Sequence, residues 1–557
     1  MHDLTRLFAA ASVAAVTANI VPCAAQTADT GSLATAAPAA DGTRVAVSGV
    51  RILDLKERPE IGITADGIQR VADAALREQA KGVLPASLGF VQIKAIADSV
   101  TQAYRRAGLL VATAVVPPQD IAAGGMLTIR IVEGKVGQIK VQGSRRYGER
   151  VLAATLQPLV GQPLERRSLE RATLYARDLP GVTISPVLTA GANPGETDII
   201  LVAKDNPRPF AVRLGASNYG TDTAGRYRFE AGVTIYSPLG IGDLLAASFA
   251  YAVEPSNSWV GSASYSLPLD RGSGLSATIG FQRSQLQLRT GPFAPLDIHG
   301  PTTQAYTGID WKFINRRTLK VQASGRYVHE TSRLDGLGMR LSSYRFDVLD
   351  ASVAIRADQT KSHAVNFAQI GVRRAIHDGS SSSNVIYSPH ESAFWAGRWS
   401  LSRIQGITPT QRLIVRGNGQ VTDDALPPLE QFSVGGPTSV RSATLSAALG
   451  DRGVQATVEY QVDAPGFASA ASPFAGRTWG DLLTVQAFYD WGRVSPVARN
   501  RRLGALPATF QGAGLGLEFR LPYQQGIQLN LSAALPTRSH STSGDAAQIW
   551  AGLGFTF

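Results

Sequence analysis

At 557 residues the chain is too long for one small core and long enough for two or three domains. Charged residues make up only 17%, and beyond the N-terminus no stretch is long and apolar enough for a membrane helix, so any membrane-spanning part must be a closed barrel, because only helices and barrels pair every backbone group in lipid. The formal net charge of +11 comes with no nucleic-acid motif and no basic–aromatic cluster, so a basic interior or surface accounts for it and no nucleic-acid partner is expected.

Arg6 precedes an apolar run from Leu7 to Val21, and Cys23-Ala24-Ala25 offers small residues for cleavage before Gln26, so residues 1–25 read as a signal peptide. The run falls short of the roughly 20 residues that span a bilayer, and Pro22 is a poor neighbour for lipid-type cleavage at Cys23. Cleavage removes the only cysteine, leaving a mature chain without disulfides. Residues 26–42 are Ala, Thr, Gly and Pro and read as a flexible segment.

A strand is predicted at Val45–Ile52. Thr64 is placed to cap a helix running to about Lys81, with Ile68, Val71, Ala75 and Leu76 at helical spacing. A second helix spans about Phe90 to Ala107, its apolar face formed by Ile93, Ile96, Ala97, Val100 and Tyr104, and Gly108 ends it. Strands follow at Leu110–Val116 and Met126–Glu133. The βααββ order then repeats: a strand at Val136–Val141, helices at Arg150–Leu156 and Ser168–Leu179, strands at Val182–Thr189 and Glu196–Ala203. Asn206-Pro207-Arg208-Pro209 marks a boundary. Two tandem modules are expected, 43–134 and 135–206.

Ala107-Gly108-Leu109 through Ala114, Pro118-Gln119-Asp120-Ile121 and Leu127–Gly134 resemble the first POTRA (polypeptide-transport-associated) domain of the two-partner secretion transporters, the haemolysin/filamentous-haemagglutinin secretion and activation family. The second module resembles their second POTRA domain. The resemblance implies periplasmic domains that capture unfolded polypeptide, in part by adding its strands to their sheet edges.

From Phe210 onward the period changes to two. Leu275, Ala277, Ile279 and Phe281 alternate with Ser276, Thr278, Gly280 and Gln282, and the chain ends with Ile549, Ala551, Leu553, Phe555 and Phe557 on one face. Such alternation, sustained over the remainder of the chain, places apolar side chains toward lipid and small or polar ones toward a lumen. Sixteen strands are predicted for 207–557, with starts near 210, 226, 243, 258, 274, 303, 317, 342, 362, 391, 410, 454, 482, 513, 526 and 547. The fold class is thus a transmembrane antiparallel β-barrel of about 16 strands, preceded by two periplasmic βααββ domains; a barrel of that size can leave an aqueous channel.

The longest interruption, about 422–453, contains Glu430-Gln431-Phe432-Ser433-Val434-Gly435-Gly436-Pro437-Thr438-Ser439-Val440-Arg441-Ser442-Ala443. It resembles the family's loop that folds back into the pore, whose tip usually reads Val-Arg-Gly-Tyr; Val440 and Arg441 match, Ser442 and Ala443 depart. Phe488, Asp490 and Gly492 match the family's Phe-x-Asp-x-Gly barrel-wall motif. The resemblance implies that Arg441 meets Asp490 on the inner wall, a directional charge-assisted pair suited to holding a loop in water. Phe557 resembles the terminal signal read by the barrel-assembly machinery. Members often carry an N-terminal plug helix and linker; fewer than twenty residues separate Gln26 from the first strand, too few for both.

No zinc spacing, phosphate loop or Gly-x-Ser-x-Gly elbow is present, so neither catalytic residues nor a cofactor or metal are expected. The function implied by the resemblance is an outer-membrane pore that exports a large secreted exoprotein, an adhesin or haemolysin, with lipid, periplasmic chaperones and the assembly machinery as further partners. The alternatives are a barrel-assembly insertase of the same superfamily, which more often carries several POTRA modules, and a passive porin, which carries none.

Overall fold

A computed structural model describes residues 44–557 except 122–124, 255–257, 271, 289–290, 382–389, 475, 523–525 and 538–546; the expected signal peptide and the segment 26–42 lie outside the described residues. Contacts divide the chain between Asn206 and Pro207.

In the first unit, β1 (Arg44–Leu53), α1 (Ala65–Gln79), β2 (Ala86–Gly89), α2 (Phe90–Ala107), β3 (Thr113–Val115) and β4 (Gly125–Val132) form a sheet in the order β2-β1-β4-β3. The Thr64 hydroxyl accepts from the Gly67 amide (3.2 Å) and starts α1. Gly108, at φ 111°, ends α2 in a conformation that glycine adopts without strain. All five residues expected on the apolar face of α2 are buried, against Leu127, Ile129 and Ile131 of β4. On α1, Ala72 is buried while Val71 stays half-exposed, a one-residue rotation of the expected face.

Two departures have physical causes. Strand β2 pairs antiparallel with β1 (Arg44↔Gly89 to Val47↔Ala86); its four residues are too few to show a period. The strand expected from Leu110 begins only at Thr113, because the Leu110 amide donates to Leu164 O (3.1 Å) in the next module.

That module contains β5 (Lys135–Gln142), α3 (Glu149–Ala153), α4 (Arg166–Arg177), β6 (Val182–Ala190) and β7 (Glu196–Asp205), with sheet order β5-β7-β6. Its separate core includes Leu152, Leu156, Ala176, Ile184, Ile199 and Leu201. The Arg166 amide donates to Gly108 O (2.8 Å), and Arg58 pairs with Glu133 (3.1 Å) and Glu165 (3.8 Å), so the two modules are joined directly.

The Lys140 ammonium and the Gln138 amide, both hydrogen-bonded to Asp198, hold its carboxyl below the usual aspartate range. A lowered folded pKa contributes stability that is present above the unfolded value, about 3.9, and is lost as pH falls through the folded value. Asp198→Asn should therefore destabilise residues 44–206 at pH 7 by less than about 1 kcal/mol, the Lys140 end being half in solvent. In urea titrations the difference between variant and parent should shrink below about pH 4; a constant difference would contradict the assignment.

The second unit is a closed barrel of sixteen antiparallel strands. They are β8 (Phe210–Ser217), β9 (Tyr227–Tyr236), β10 (Leu244–Val253), β11 (Trp259–Asp270), β12 (Leu275–Leu288), β13 (Ile298–Asn315), β14 (Leu319–Gly336), β15 (Met339–Gln359), β16 (Ala364–Asp378), β17 (Trp395–Thr408) and β18 (Gln411–Val421). After an inserted hairpin of β19 (Phe432–Val434) and β20 (Ala448–Gly450) come β21 (Arg452–Asp463), β22 (Leu483–Ser495), β23 (Ala508–Pro522), β24 (Gly526–Pro536) and β25 (Gln548–Thr556). Strand β25 pairs with β8 (Gly552↔Ser217 to Thr556↔Arg213) and removes the free edge. Ile279, Phe281, Ile309, Trp311, Ile370 and Leu401 lie on the outer face and are exposed, as an apolar band facing lipid requires. An even strand number puts the start of β8 and the end of β25 at the same rim; the loop between β18 and β21 hangs from the opposite one.

Candidate functional site

The loop after the eleventh barrel strand turns inward. Its limbs pair as the β19–β20 hairpin (Phe432↔Gly450 to Val434↔Ala448), a short ladder that the sequence does not announce because three-residue strands carry no period. Beyond it the chain reverses at Gly435-Gly436, both at positive φ (107° and 109°). The turn closes through Gly436 N donating to Ala443 O (3.0 Å) and Ala443 N donating to Val440 O (3.1 Å).

The tip meets inward-facing side chains. Arg441 Nε donates to Asp490 Oδ2 (2.8 Å) and Nη2 to Oδ1 (2.9 Å), a bidentate pair, and the Arg441 amide also donates to Oδ2 (3.1 Å). Arg441 Nη1 reaches Glu459 Oε2 (2.9 Å) on β21, and the guanidinium carbon stands 3.2 Å from the centroid of the Phe488 ring. Thr457 donates to Asp490 (2.8 Å), and Trp550 Nε1 donates to Arg441 O (2.8 Å). Asp490 is 0%, Glu459 2% and Arg441 6% exposed, so a charge left here without a partner is costly. Asp490 sits five residues inside the end of β22 at Ser495, roughly 16 Å down the strand at about 3.3 Å per residue.

Small residues make room for the loop. A Cβ on Gly492 would lie 2.8 Å from Val434 Cγ1 and 2.9 Å from Val440 Cγ2; one on Gly512 would lie 2.3 Å from Ser442 Cβ. Ser442 and Ala443 replace the usual Gly-Tyr without strain. The backbone at Ser442 is outside the left-handed region, so no glycine is needed there. Ala443 is buried with Phe432, Val434, Val440, Val494 and Phe510, which fill the space around the tip. Gly492→Val should therefore lift the tip from the wall while the barrel still folds, raising the reactivity of a cysteine placed at Ala443 about tenfold or more; an unchanged rate in a folded barrel would contradict this packing.

The structure thus brings Val440, Arg441, Ser442 and Ala443 against the strand bearing Phe488, Asp490 and Gly492. Phe557 stands apart at the end of the last strand, its amide donating to Val212 O (2.8 Å). Sequence reasoning missed Glu459, Trp550 and Gly512. Parity could have found Glu459: it alternates with the outward Val458 and Tyr460, so a carboxylate in that strand had to face the lumen. Among the described residues no cluster of three or more His, Cys, Asp or Glu could hold a metal ion.

Residues 195–519 match the family described as haemolysin secretion/activation protein ShlB/FhaC/HecB, and residues 61–134 match the POTRA domain, ShlB-type. The chain belongs to this family. It is 23% identical over 502 residues to the heme/hemopexin transporter protein HuxB of Haemophilus influenzae (strain 86-028NP), covering 88% of this chain and 85% of the relative. It is 23% identical over 517 residues to the hemolysin transporter protein ShlB of Serratia marcescens, covering 90% and 86%. The solved structure of CdiB from Escherichia coli shares the fold at a TM-score of 0.66 and 17% identity, over 96% of this chain and 94% of its own. BamA from Haemophilus ducreyi lacking POTRA domains 1–3 shares it at 0.55 and 14%, over 92% and 100%. These likenesses show the fold; the family match carries the function. The transporter lies in the outer membrane with its POTRA modules in the periplasm, and it exports a partner exoprotein by two-partner secretion. The rim bearing the first and last strand ends is periplasmic, and the loop between β18 and β21 hangs from the cell-surface rim.

Proposed function

We propose that residues 422–453 are a resident pore loop, that Val440–Ala443 is its tip, and that Arg441 and Asp490 lock it to the wall of the export channel. The observation that carries this is the buried bidentate pair inside the barrel, with Glu459 as a second acceptor. The pair is directional, and the apolar cluster of Phe432, Val434, Val440 and Ala443 backs it, so the tip has one position on the wall.

In this reading the modules at 43–134 and 135–206 receive a large unfolded exoprotein of the adhesin or haemolysin type. Support comes from the sheet orders, which put β2 at an edge of one module and β6 at an edge of the other, where an extended segment can add; β3 and β5, the other edges, are partly taken, Ala114 N by Thr101 and Val136 by Gln162 and Gly161. A relative named as a hemolysin transporter supports the cargo class. The export step involves no catalytic chemistry and no ATP; folding of the cargo outside the cell draws it through. Phe557 ends the strand that the assembly machinery recognises, and periplasmic chaperones keep the chain competent until then.

The test is conductance in planar bilayers. The native transporter should give a small, fluctuating channel, and a variant with residues 427–449 replaced by a short Gly-Ser link should give a large, steady one. Equal conductance would remove the loop from the pore.

A further inference from the structure

The pore loop makes a second charged contact with the wall, eleven residues before Arg441 and on different wall strands. Glu430 lies at the start of the limb that descends to β19, and its side chain is 1% exposed. Its Oε1 accepts from Arg373 Nη2 on β16 (2.7 Å) and its Oε2 from Arg398 Nη2 on β17 (2.5 Å). Gln420 on β18 donates to the Glu430 carbonyl (3.0 Å). Leu426 and Leu429, on the same limb, pack into an inward apolar cluster with Phe346, Val348 and Phe394. The tip, by contrast, is held by β21, β22 and β25.

We propose that Glu430 is a second latch: a positioning residue that fixes the descending limb to the β16–β17 wall independently of Arg441, so that limb and tip are held, and can be released, separately. This rests on the reading of the loop as resident in the pore.

The charges around Arg373 explain why such a latch can open without harm to the barrel. Arg373 Nη2 also donates to Glu330 Oε1 on β14 (2.6 Å), and Nη1 to Asp350 Oδ2 on β15 (2.9 Å). Two wall carboxylates therefore remain when the loop's carboxylate leaves, and Arg398 keeps Gln420 Oε1 (2.8 Å). Glu330 and Glu430 share one guanidinium nitrogen, so the wall already holds a substitute acceptor in place. The tip has less such provision: when Arg441 leaves, Glu459 retains Arg416 (3.1 Å), but Asp490 retains only Thr457. The limb is thus the contact whose release costs the wall least, and its apolar seat on Leu426 and Leu429 returns it to register.

The experiment reads the two latches separately. In full-length chain with Cys23 replaced by serine, single cysteines are placed at Ser433→Cys on the limb or Ala443→Cys at the tip, and the rate of labelling by a membrane-impermeant maleimide is measured on intact cells. Glu430→Gln should speed labelling at 433 about tenfold or more, the effect of losing a charge-assisted contact pair, and leave 443 near its native rate. Glu430→Asp should restore part of the protection. Arg398→Gln, which removes one of the two wall partners instead, should reproduce part of the Glu430→Gln effect at 433 and serves as the second variant should Glu430→Gln assemble poorly. Unchanged labelling at 433, or equal acceleration at both positions, overturns the second latch. The tip reading is judged on its own: Arg441→Ala should expose 443, and protection of 443 in that variant would sink the tip lock while leaving the Glu430 result standing.

Discussion

A transporter lacking residues 44–205 should insert into the outer membrane as a folded, heat-modifiable barrel and secrete none of its partner. The two POTRA modules have cores of their own, one around Leu76, Val100 and Leu127 and the other around Leu152 and Leu201. The barrel closes its hydrogen-bond ladder through β25 and β8 without help from them. Its assembly should therefore survive the deletion, while cargo loses the modules proposed to receive it. The effect on secretion should be complete, down to the level of a strain without the transporter. Export that persists, with the barrel present in normal amount, would assign cargo recognition to the barrel and leave the modules as spacers.

The second large effect is expected at the tip. Arg441→Ala and Asp490→Ala should each reduce secretion strongly with the barrel intact, but not equally. Removing Arg441 leaves the buried Asp490 with Thr457 as its remaining side-chain donor and no cation, while Glu459 keeps Arg416 and Gln461. Removing Asp490 leaves Arg441 its contact with Glu459. Breaking a buried pair costs about 3–5 kcal/mol, against about 0–1 kcal/mol for an exposed one, so Arg441→Ala should be the worse of the two. In a double-mutant cycle the coupling should reach about 1–3 kcal/mol, and the double variant should be no worse than Arg441→Ala alone. Exchanging the two charges should restore little, because an aspartate at 441 would face Glu459. Strictly additive defects would mean that the two residues act separately.

Most of the barrel is legible in the sequence because its period is strict. Sixteen strand starts expected from alternation lie within five residues of those observed; the largest shifts are at β13 and β23, which start at Ile298 and Ala508 rather than near 303 and 513. In both, the strand runs on past the lipid-facing stretch toward the cell surface, where the outer side chains need not be apolar and the period fades. The modules are legible for the same reason in α2, whose apolar stripe, Ile93 to Tyr104, is the buried one. They fail where a strand is too short to alternate, as in β2, or where backbone groups serve a neighbour, as at Leu110.

The tip is legible only through motif resemblance. Nothing in the composition of Val440–Ala443 or of Phe488–Gly492 says that the two segments meet; their contact is a matter of where a loop hangs in a closed barrel. Glu459 and Glu430 were open to inference from parity and from charge respectively, since a carboxylate in a barrel interior needs a cation. The partners, Arg416 on one side and Arg373 with Arg398 on the other, come from strands far apart in sequence, and only the ladder register brings them into reach.

The central claim is that this barrel exports one partner protein and does not assemble other barrels. Its most direct test is to delete the transporter's gene and follow two quantities in the same cells: the partner exoprotein in the medium and periplasm, and the folded amounts of unrelated outer-membrane proteins. Export by two-partner secretion predicts that the exoprotein disappears from outside and is found, degraded, in the periplasm, while the other barrels keep their normal levels. A general loss of folded barrels, or an exoprotein still delivered to the cell surface, would contradict it.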